Sequence, residues 1–331
     1  MRKEYYYQRI RFKKDTSYLS SIAIMKSSKK RVKKRKTGKR ITEAAFAIIM
    51  IGVIVFAVQS WLFSSQPSET QSANKAALID QLSLTYPNPS FTEEFIRMSE
   101  AVGLTPEIFT GSEVTLDLYS RLPSMGYRII VFRVHQSTPA EVLLPMDHPV
   151  TGYPVYLFTG EPYNEHKYVV EQLTDLVVPA REINGSNVYF SIGPEFVQLS
   201  MDGEFQNTVI ILAGCSGLYS AELADSFIIK GASVVLGWQR FVQMDYTDKA
   251  IERLLKAILL EKITFYRSVL VMTSEVGLDP TYETNLLIYP EDRSNITFDQ
   301  AMDLEEKIIV QDLRMHQNRI RFDRKSLKYF N

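Results

Sequence analysis

The chain has 331 residues, of which 45% are hydrophobic and 23% are charged. This composition is typical of a globular protein and excludes a fibrous or wholly disordered chain. The single cysteine, Cys215, excludes an intrachain disulfide. It shows no metal-ligand spacing with the four histidines, so we expect neither a metal site nor a cofactor.

The charges are distributed unevenly along the chain. There are 38 basic and 38 acidic side chains, but 16 of the basic ones and only three of the acidic ones lie in residues 1–43. The remaining residues therefore carry 22 basic and 35 acidic groups. The basic N-terminal segment and the acidic remainder of the chain therefore indicate two parts that occupy different environments.

An uncharged apolar run covers residues 44–63 and ends with Trp61 and Phe63. As a helix it would extend about 30 Å, the thickness of the hydrocarbon layer of a membrane. A basic run precedes it at 29–40, and the positive-inside rule then makes residues 1–43 a cytoplasmic tail. We therefore predict a single-pass protein of the cell membrane, with its main domain outside the cytoplasm.

Two alternatives apply to this N-terminal region. A cleaved signal peptide is disfavoured, because the apolar run is long and no small-residue cleavage site follows it. The basic run would suit nucleic acid, but beside an anchor it is explained more simply by topology and by contact with anionic lipid. We expect a lipid bilayer as partner and no nucleic acid.

After a polar linker at 64–74, strand patterns alternate with helical ones. Continuous apolar strands alternating with helices predict an α/β domain at 75–278, with a mainly parallel sheet covered by helices on both faces. Residues 279–331 are interpreted as an extension that packs on this domain and has a loose end. The predicted strands are 76–80, 106–114, 127–134, 155–158, 188–192, 208–213 and 232–237, and the predicted helices are 88–102, 115–122, 165–176, 221–230, 248–261 and 298–313.

Ligands of open parallel sheets bind beyond the carboxyl ends of the strands. The strand at 127–134 is followed by His135, and the strand at 208–213 is followed by Gly214 and Cys215. If these strands are parallel neighbours, the imidazole and the thiol meet at one edge of the sheet. The other predicted strands deliver further polar or aromatic residues to that edge: Glu161 after 155–158, and Trp238 and Asp245 after 232–237.

A thiol beside an imidazole is the requirement for thiolate catalysis. The imidazole takes the thiol proton, the sulfur attacks a carbonyl, and the imidazolium later protonates the leaving amine. Backbone N–H groups of Cys215 and Gln136 would form the oxyanion hole. A helix beginning near 220–221 would favour the thiolate through its dipole.

Two blocks of residues, 129–136 and 209–217, each run from an apolar strand into a reactive residue. With the helix–strand stretch 223–238, they resemble the caspase-like superfamily of cysteine peptidases, which includes caspases, legumains, gingipains, separases and bacterial CHAT-domain proteins. The resemblance covers residues 75–262. It implies that Cys215 is the nucleophile and His135 is the general base and acid.

The chain departs from the family pattern in two ways. Gln136 follows the histidine where the family usually has glycine, which bears on the geometry of the oxyanion hole. The separation of His135 from Cys215 is longer than in caspases and implies an insertion, which we place at 148–164.

Each candidate residue also has a structural interpretation. Cys215 would suit a small buried position at a strand end. Glu161 and Asp245 could recognise a basic substrate side chain or could be a helix cap and a surface carboxylate. Trp238 suits the core or a pocket wall.

The sequence thus supports three hypotheses. The first is a membrane-tethered cysteine endopeptidase acting on polypeptides. The second is a catalytically inactive domain of the same fold that binds or scaffolds a protein partner at the cell surface. The third is a domain that binds a small ligand at the same edge of the sheet.

Overall fold

A computed structural model of the chain describes residues 74–138, 154–182 and 185–304. The predicted cytoplasmic tail, transmembrane helix and linker lie outside these ranges, as does the predicted helix beyond residue 304. Within the described ranges, no helix combines the length and the apolar character needed to cross a membrane. The anchor therefore stays a prediction from the sequence.

The main structural unit is a six-stranded sheet in the order β10-β9-β8-β3-β1-β2. All neighbouring strands are parallel except β10, which runs antiparallel to β9 at one edge. The predicted α/β class with a mainly parallel sheet is confirmed. The strands are β1 Lys75–Asp80, β2 Thr105–Thr110, β3 Tyr127–Arg133, β8 Thr208–Leu212, β9 Ala232–Trp238 and β10 Leu286–Tyr289.

Helices cover both faces of this sheet, because its central strands are apolar on both sides. Every residue of β8 and of β9 is buried. One face packs on α1, α6, α7 and α8, and the other on α2, α4 and α5. The helices are α1 Pro89–Ala101, α2 Leu116–Arg121, α3 Val169–Leu173, α4 Pro194–Leu199, α5 Glu222–Ile229, α6 Met244–Leu255, α7 Phe265–Val276 and α8 Phe298–Met302.

A second, antiparallel sheet lies between β3 and β8 in the chain. It has the order β4-β5-β7-β6 and shares an apolar core with the α2 face of the main sheet. The predicted strand at 155–158 belongs here, so its assignment to the parallel sheet is wrong. The strands are β4 Gln136–Ser137, β5 Tyr156–Pro162, β6 Val177–Arg181 and β7 Val188–Ile192.

Several boundaries differ from the sequence prediction for local reasons. The predicted helix at 165–176 is reduced to α3, because Tyr168 and Asp175 on either side of it adopt positive φ angles that end a right-handed helix. The predicted helix at 248–261 begins earlier, at Met244, and widens into a π-turn over Lys256–Leu260. Helices α4 and α7 and strands β4, β6 and β10 were not predicted.

A buried ion network fixes the carboxyl end of β3. Arg133 is only 1% exposed, and its Nε and Nη2 donate to the two carboxylate oxygens of Asp248 at 2.8 Å each. Nη1 donates to Oδ1 of Asp80 at 2.7 Å, and Nη2 also donates to the carbonyl of Tyr86 at 2.7 Å. Burial alone would lower the pKa of Arg133, but the hydrogen bonds and charges of the two carboxylates outweigh it and raise the pKa.

The network joins three elements, since Asp80 ends β1 and Asp248 lies on α6. Asn88 Nδ2 also donates to Asp248, at 2.8 Å, which ties in the start of α1. Two carboxylates and one guanidinium are therefore held together where β1 and β3 end. This network sets the position of the next two residues of the chain, Val134 and His135.

We expect Arg133→Met to lower the free energy of unfolding by about 3–5 kcal/mol, because it leaves two buried carboxylates without a cation. The measurement is denaturant unfolding of the full chain in detergent, followed by circular dichroism. Arg97→Met is the matched control, since Arg97 pairs with Glu94 on an exposed helix surface and its loss should leave the unfolding free energy nearly unchanged. Equal small losses in both variants would contradict a structural role for the buried network.

Candidate functional site

The register of β3 and β8 brings the ends of these two strands together. Phe132 pairs with Leu212, and the N–H of Ala213 donates to the carbonyl of Phe132 at 2.9 Å. His135 and Cys215 each follow three residues after these paired positions. The two predicted reactive residues therefore leave the same edge of the sheet from adjacent parallel strands.

A close approach of the two backbones requires glycine just before the thiol. A Cβ atom at Gly214 would lie 2.1 Å from the carbonyl oxygen of Val134 and 3.0 Å from Cγ and Cδ of Gln136. A Cβ atom at Gly217 would lie 2.6 Å from Oε1 of Gln136. The loop carrying Cys215 thus packs directly on the segment carrying His135, with the Gln136 side chain between the two glycines.

The loop after Cys215 is tied to the end of β9. The N–H of Ser216 donates to the carbonyl of Arg240 at 2.8 Å, and the N–H of Leu218 donates to the carbonyl of Trp238 at 3.0 Å. Ser216 adopts a φ of 60°, a left-handed conformation that is uncommon for a residue with a side chain. The backbone at the predicted nucleophile is therefore a constrained turn.

The thiol of Cys215 is partly buried and stays protonated. Its Sγ lies 3.5 Å from the carbonyl oxygen of Val242 and packs against the core formed with α6 and α7. Burial raises the pKa of the Cys215 thiol to about 11, and the negative charge of Asp279 acts in the same direction. Helix α5 begins at Glu222 with Ala221 as its N-cap, which agrees with the predicted start at 220–221. The effect of its dipole on the thiolate stays a prediction.

The His135 ring is held mainly from its Nε2 side. Nε2 lies 3.5 Å from Oγ1 of Thr85 and 3.5 Å from Oε1 of Glu182, and the ring centroid lies 5.8 Å from that of Phe158. The backbone N–H donates to Oε1 of Gln81 at 2.9 Å. Burial lowers the pKa of His135 to about 4, and the positive charge of Arg133 adds to the effect.

These two environments keep both reactive groups neutral at physiological pH. Burial disfavours the charged form of each group, and the neighbouring charges reinforce this, because Arg133 opposes an imidazolium and Asp279 opposes a thiolate. The resting site therefore holds a protonated thiol and a neutral imidazole and not a preformed ion pair. The sulfur packs with the core under α6 and α7, whereas the ring contacts Phe158 of β5 and Glu182 after β6. Among the described residues, neither side chain has the other as a hydrogen-bond partner.

The three residues predicted to line a substrate pocket lie in different environments. Glu161 is buried within β5, where its carboxylate accepts from the N–H of Leu116 at 3.3 Å and pairs with Lys167, so it caps α2. Trp238 is fully buried, and its Nε1 donates to Thr247 Oγ1 at 2.8 Å. Asp245 is exposed in the first turn of α6, three residues beyond the Val242 carbonyl that contacts the thiol.

Trp238 nevertheless supports the reactive loop. Thr247 Oγ1, which accepts from Trp238, donates in turn to the carbonyl of Ala213 at 2.9 Å. Ala213 lies two residues before Cys215. The indole therefore braces the strand end that carries the thiol.

Sequence reasoning missed three residues that surround the imidazole: Glu182, Gln81 and Thr85. Glu182 comes at the end of β6, in a segment with no recognised pattern, and reaches His135 through the second sheet. Gln81 and Thr85 follow β1, the strand beside β3. The rule that ligands gather at strand ends would have pointed to Gln81, but nothing in the sequence would have pointed to Glu182.

A scan against protein-family models finds no match, and a search of curated proteins finds none either. In the part of the chain that the structure describes, no group of histidine, cysteine and acidic side chains is arranged to hold a metal ion. The function is therefore argued from the geometry at the ends of β3 and β8.

The lowered pKa of His135 gives a pH dependence of stability. Below pH 6.5 the imidazole takes up a proton in the unfolded chain but not in the folded protein, which resists protonation down to about pH 4. The stability contributed by neutral His135 is complete above pH 6.5 and is lost as the pH falls towards 4. The loss amounts to about 2 kcal/mol between pH 7 and pH 5.

We therefore expect His135→Asn to lose less unfolding free energy than the wild type between pH 7 and pH 5. Denaturant unfolding of the full chain at the two pH values measures this difference. His166→Asn, a substitution of an exposed side chain, is the control. Its unfolding free energy should fall between pH 7 and pH 5 by as much as that of the wild type. If His135→Asn lost as much unfolding free energy as the wild type between pH 7 and pH 5, a buried neutral imidazole would be contradicted.

Proposed function

We propose that the chain is a membrane-anchored, extracytoplasmic cysteine peptidase of the caspase-like class, acting on polypeptide substrates. The observation that carries the proposal is the parallel pairing of β3 with β8, which brings His135 and Cys215 to one edge of the sheet. The resemblance predicts this placement for its nucleophile and its base. The glycines on either side of Cys215 let its loop pack directly on Val134 and Gln136, which supports a fixed placement of the thiol at this edge.

The chemistry starts from two neutral groups. As Cys215 Sγ attacks the substrate carbonyl carbon, the thiol proton passes to His135 and the carbonyl π electrons move to oxygen. Backbone N–H groups of Cys215 and Gln136 then hold the oxyanion. When the tetrahedral intermediate collapses, the imidazolium gives its proton to the leaving amine and an acyl-enzyme remains, which water hydrolyses.

The neutral resting state implies that ionisation accompanies attack. In a dyad that ionises before substrate binds, the thiolate is already present, whereas here burial and Asp279 oppose it. The proton transfer then belongs to the reaction step with substrate bound. Such a peptidase turns over slowly unless substrate changes the surroundings of the thiol.

A second candidate function is a catalytically inactive binding or scaffolding domain of the same fold at the cell surface. The protonated thiol hydrogen-bonded to the Val242 carbonyl favours it, because this arrangement is that of a stable buried cysteine. Gln136 also favours it, because its side chain fills the space between Gly214 and Gly217.

The location and partners rest on the N-terminal sequence. The apolar run 44–63 and the basic tail before it support an anchor in the lipid bilayer with the α/β domain outside. In that position a polypeptide substrate or a protein partner would be encountered at the outer surface of the cell. We propose no nucleic-acid partner.

Incubation of the full chain in detergent with a library of synthetic decapeptides, read by mass spectrometry, tests the activity. We expect cleavage that falls at least about 100-fold in Cys215→Ala and in His135→Ala, because a nucleophile and its base are each required. Asp245→Ala, at an exposed position near the same edge, should retain cleavage and shift only its preference for basic residues.

The outcomes separate the two candidates. Cleavage that persists in Cys215→Ala would contradict the proposed chemistry. No cleavage by the wild type, with binding of particular peptides retained in both variants, would favour the binding domain.

A further inference from the structure

A partly buried carboxylate, with 15% of its side chain exposed, faces the imidazole from the end of the second sheet. Glu182 follows β6, and its Oε1 is inaccessible to solvent and has no hydrogen-bond partner among the described residues. Among the residues that the structure describes, the cationic or potentially cationic group nearest to Oε1 is Nε2 of His135, at 3.5 Å. A buried carboxylate oxygen without a partner is costly, so its retention beside a titratable ring requires an explanation.

The remaining contacts of the ring define which of its nitrogens is available. Phe158 and Tyr86 lie against the ring, with centroids at 5.8 and 6.2 Å, and Thr85 approaches the same Nε2 as Glu182 does. Within the described ranges, Nδ1 of His135 has no hydrogen-bond partner. The ring is thus anchored through Nε2, which leaves Nδ1 open to exchange a proton.

We propose that Glu182 is a positioning residue for His135: it accepts the Nε2–H of the ring, selects the tautomer in which Nδ1 is unprotonated, and stabilises the imidazolium that forms. This inference rests on the proposed function, because it assigns Nδ1 as the atom that takes the Cys215 proton. The residue comes from the second sheet, which is inserted between β3 and β8. The insertion therefore supplies part of the reactive site.

Glu182 assists the step in which the Cys215 sulfur attacks carbon and its proton passes to His135. The S–H bond of Cys215 breaks, its proton goes to Nδ1, and the sulfur electron pair forms the new bond to carbon. With iodoacetamide as the electrophile, iodide leaves with the electrons of the C–I bond. The 3.5 Å separation between Nε2 and Oε1 of Glu182 closes to a charge-assisted hydrogen bond as the ring becomes positively charged.

The test is the rate at which iodoacetamide labels Cys215 in the full chain at pH 7.5, with unfolding free energies measured in parallel. We expect Glu182→Leu to slow labelling about tenfold and His135→Ala to slow it by at least that factor. The double variant should label no more slowly than His135→Ala alone, because Glu182 acts only through the imidazole. Glu204→Gln, an exposed acidic position, is the control and should label at the wild-type rate.

Stability distinguishes positioning from a purely structural role. Glu182→Leu fills the site without leaving a buried unpaired oxygen, so we expect unchanged or higher stability together with slower labelling. Glu182→Gln keeps a hydrogen-bond acceptor without the charge. Its labelling rate should lie between the rates of the wild type and of Glu182→Leu. Nitrogen-15 spectra of the imidazole should show Nε2 protonated in the wild type and a mixture of tautomers in Glu182→Leu.

Each failure has a separate meaning. If His135→Ala slows labelling and Glu182→Leu does not, the inference about Glu182 is wrong and the proposed dyad stands. If neither substitution changes the rate, the proposed function fails as well. If Glu182→Leu slows labelling equally with and without His135, its effect does not pass through the imidazole and the positioning role is excluded.

Discussion

The arrangement of the site depends on the buried guanidinium of Arg133. It lies two residues before His135 and binds carboxylates from β1 and from α6, so it fixes where β3 ends relative to its neighbours. A buried cation between two carboxylates gains little net stability over an apolar core, because desolvation of three charges offsets their attraction. The network instead specifies one arrangement of β1, β3 and α6, since removal of Arg133, Asp80 or Asp248 leaves an uncompensated buried charge.

The same cation has an electrostatic consequence for the neighbouring histidine. Burial is the main reason that the pKa of His135 is lowered and that of Cys215 is raised, and the charges of Arg133 and Asp279 add to these two shifts. The residues that build the edge of the sheet therefore also set its chemistry. Glu182, from the second sheet, is the group in contact with the imidazole that would favour its positive charge.

The sequence predicted the parts of the fold that follow from local patterns. Apolar runs located β3, β8 and β9, and the strand-end rule predicted that His135 and Cys215 leave the same edge. The second sheet was not predicted, because the apolar run at 155–158 has the pattern of a buried parallel strand and its pairing partners are set by tertiary contacts. Strand β10 is short, partly exposed and antiparallel, so its pattern is weak.

The surroundings of the site depended on contacts between distant parts of the chain. Arg133 was treated as part of an apolar strand, and its partners Asp80 and Asp248 lie 53 and 115 residues away. Glu182 reaches His135 only because the second sheet folds back onto the ends of β1 and β3. Glu161 and Trp238 were selected as pocket residues, but they cap a helix and brace a strand, because their functions depend on neighbours that the sequence does not reveal.

Catalysis by the proposed dyad requires residues 135 and 215 to lie side by side, and a disulfide can test this directly. In His135→Cys the two cysteines would each lie three residues beyond the paired positions Phe132 and Leu212 of adjacent parallel strands. Adjacent strands lie about 4.8 Å apart, which is within the Cα separation of a disulfide. Mild oxidation of the full chain in detergent, followed by thiol counting and peptide mapping, should show rapid intramolecular pairing with Cys215. Two thiols that stay reduced under these conditions, or that pair only between molecules, would contradict the central claim.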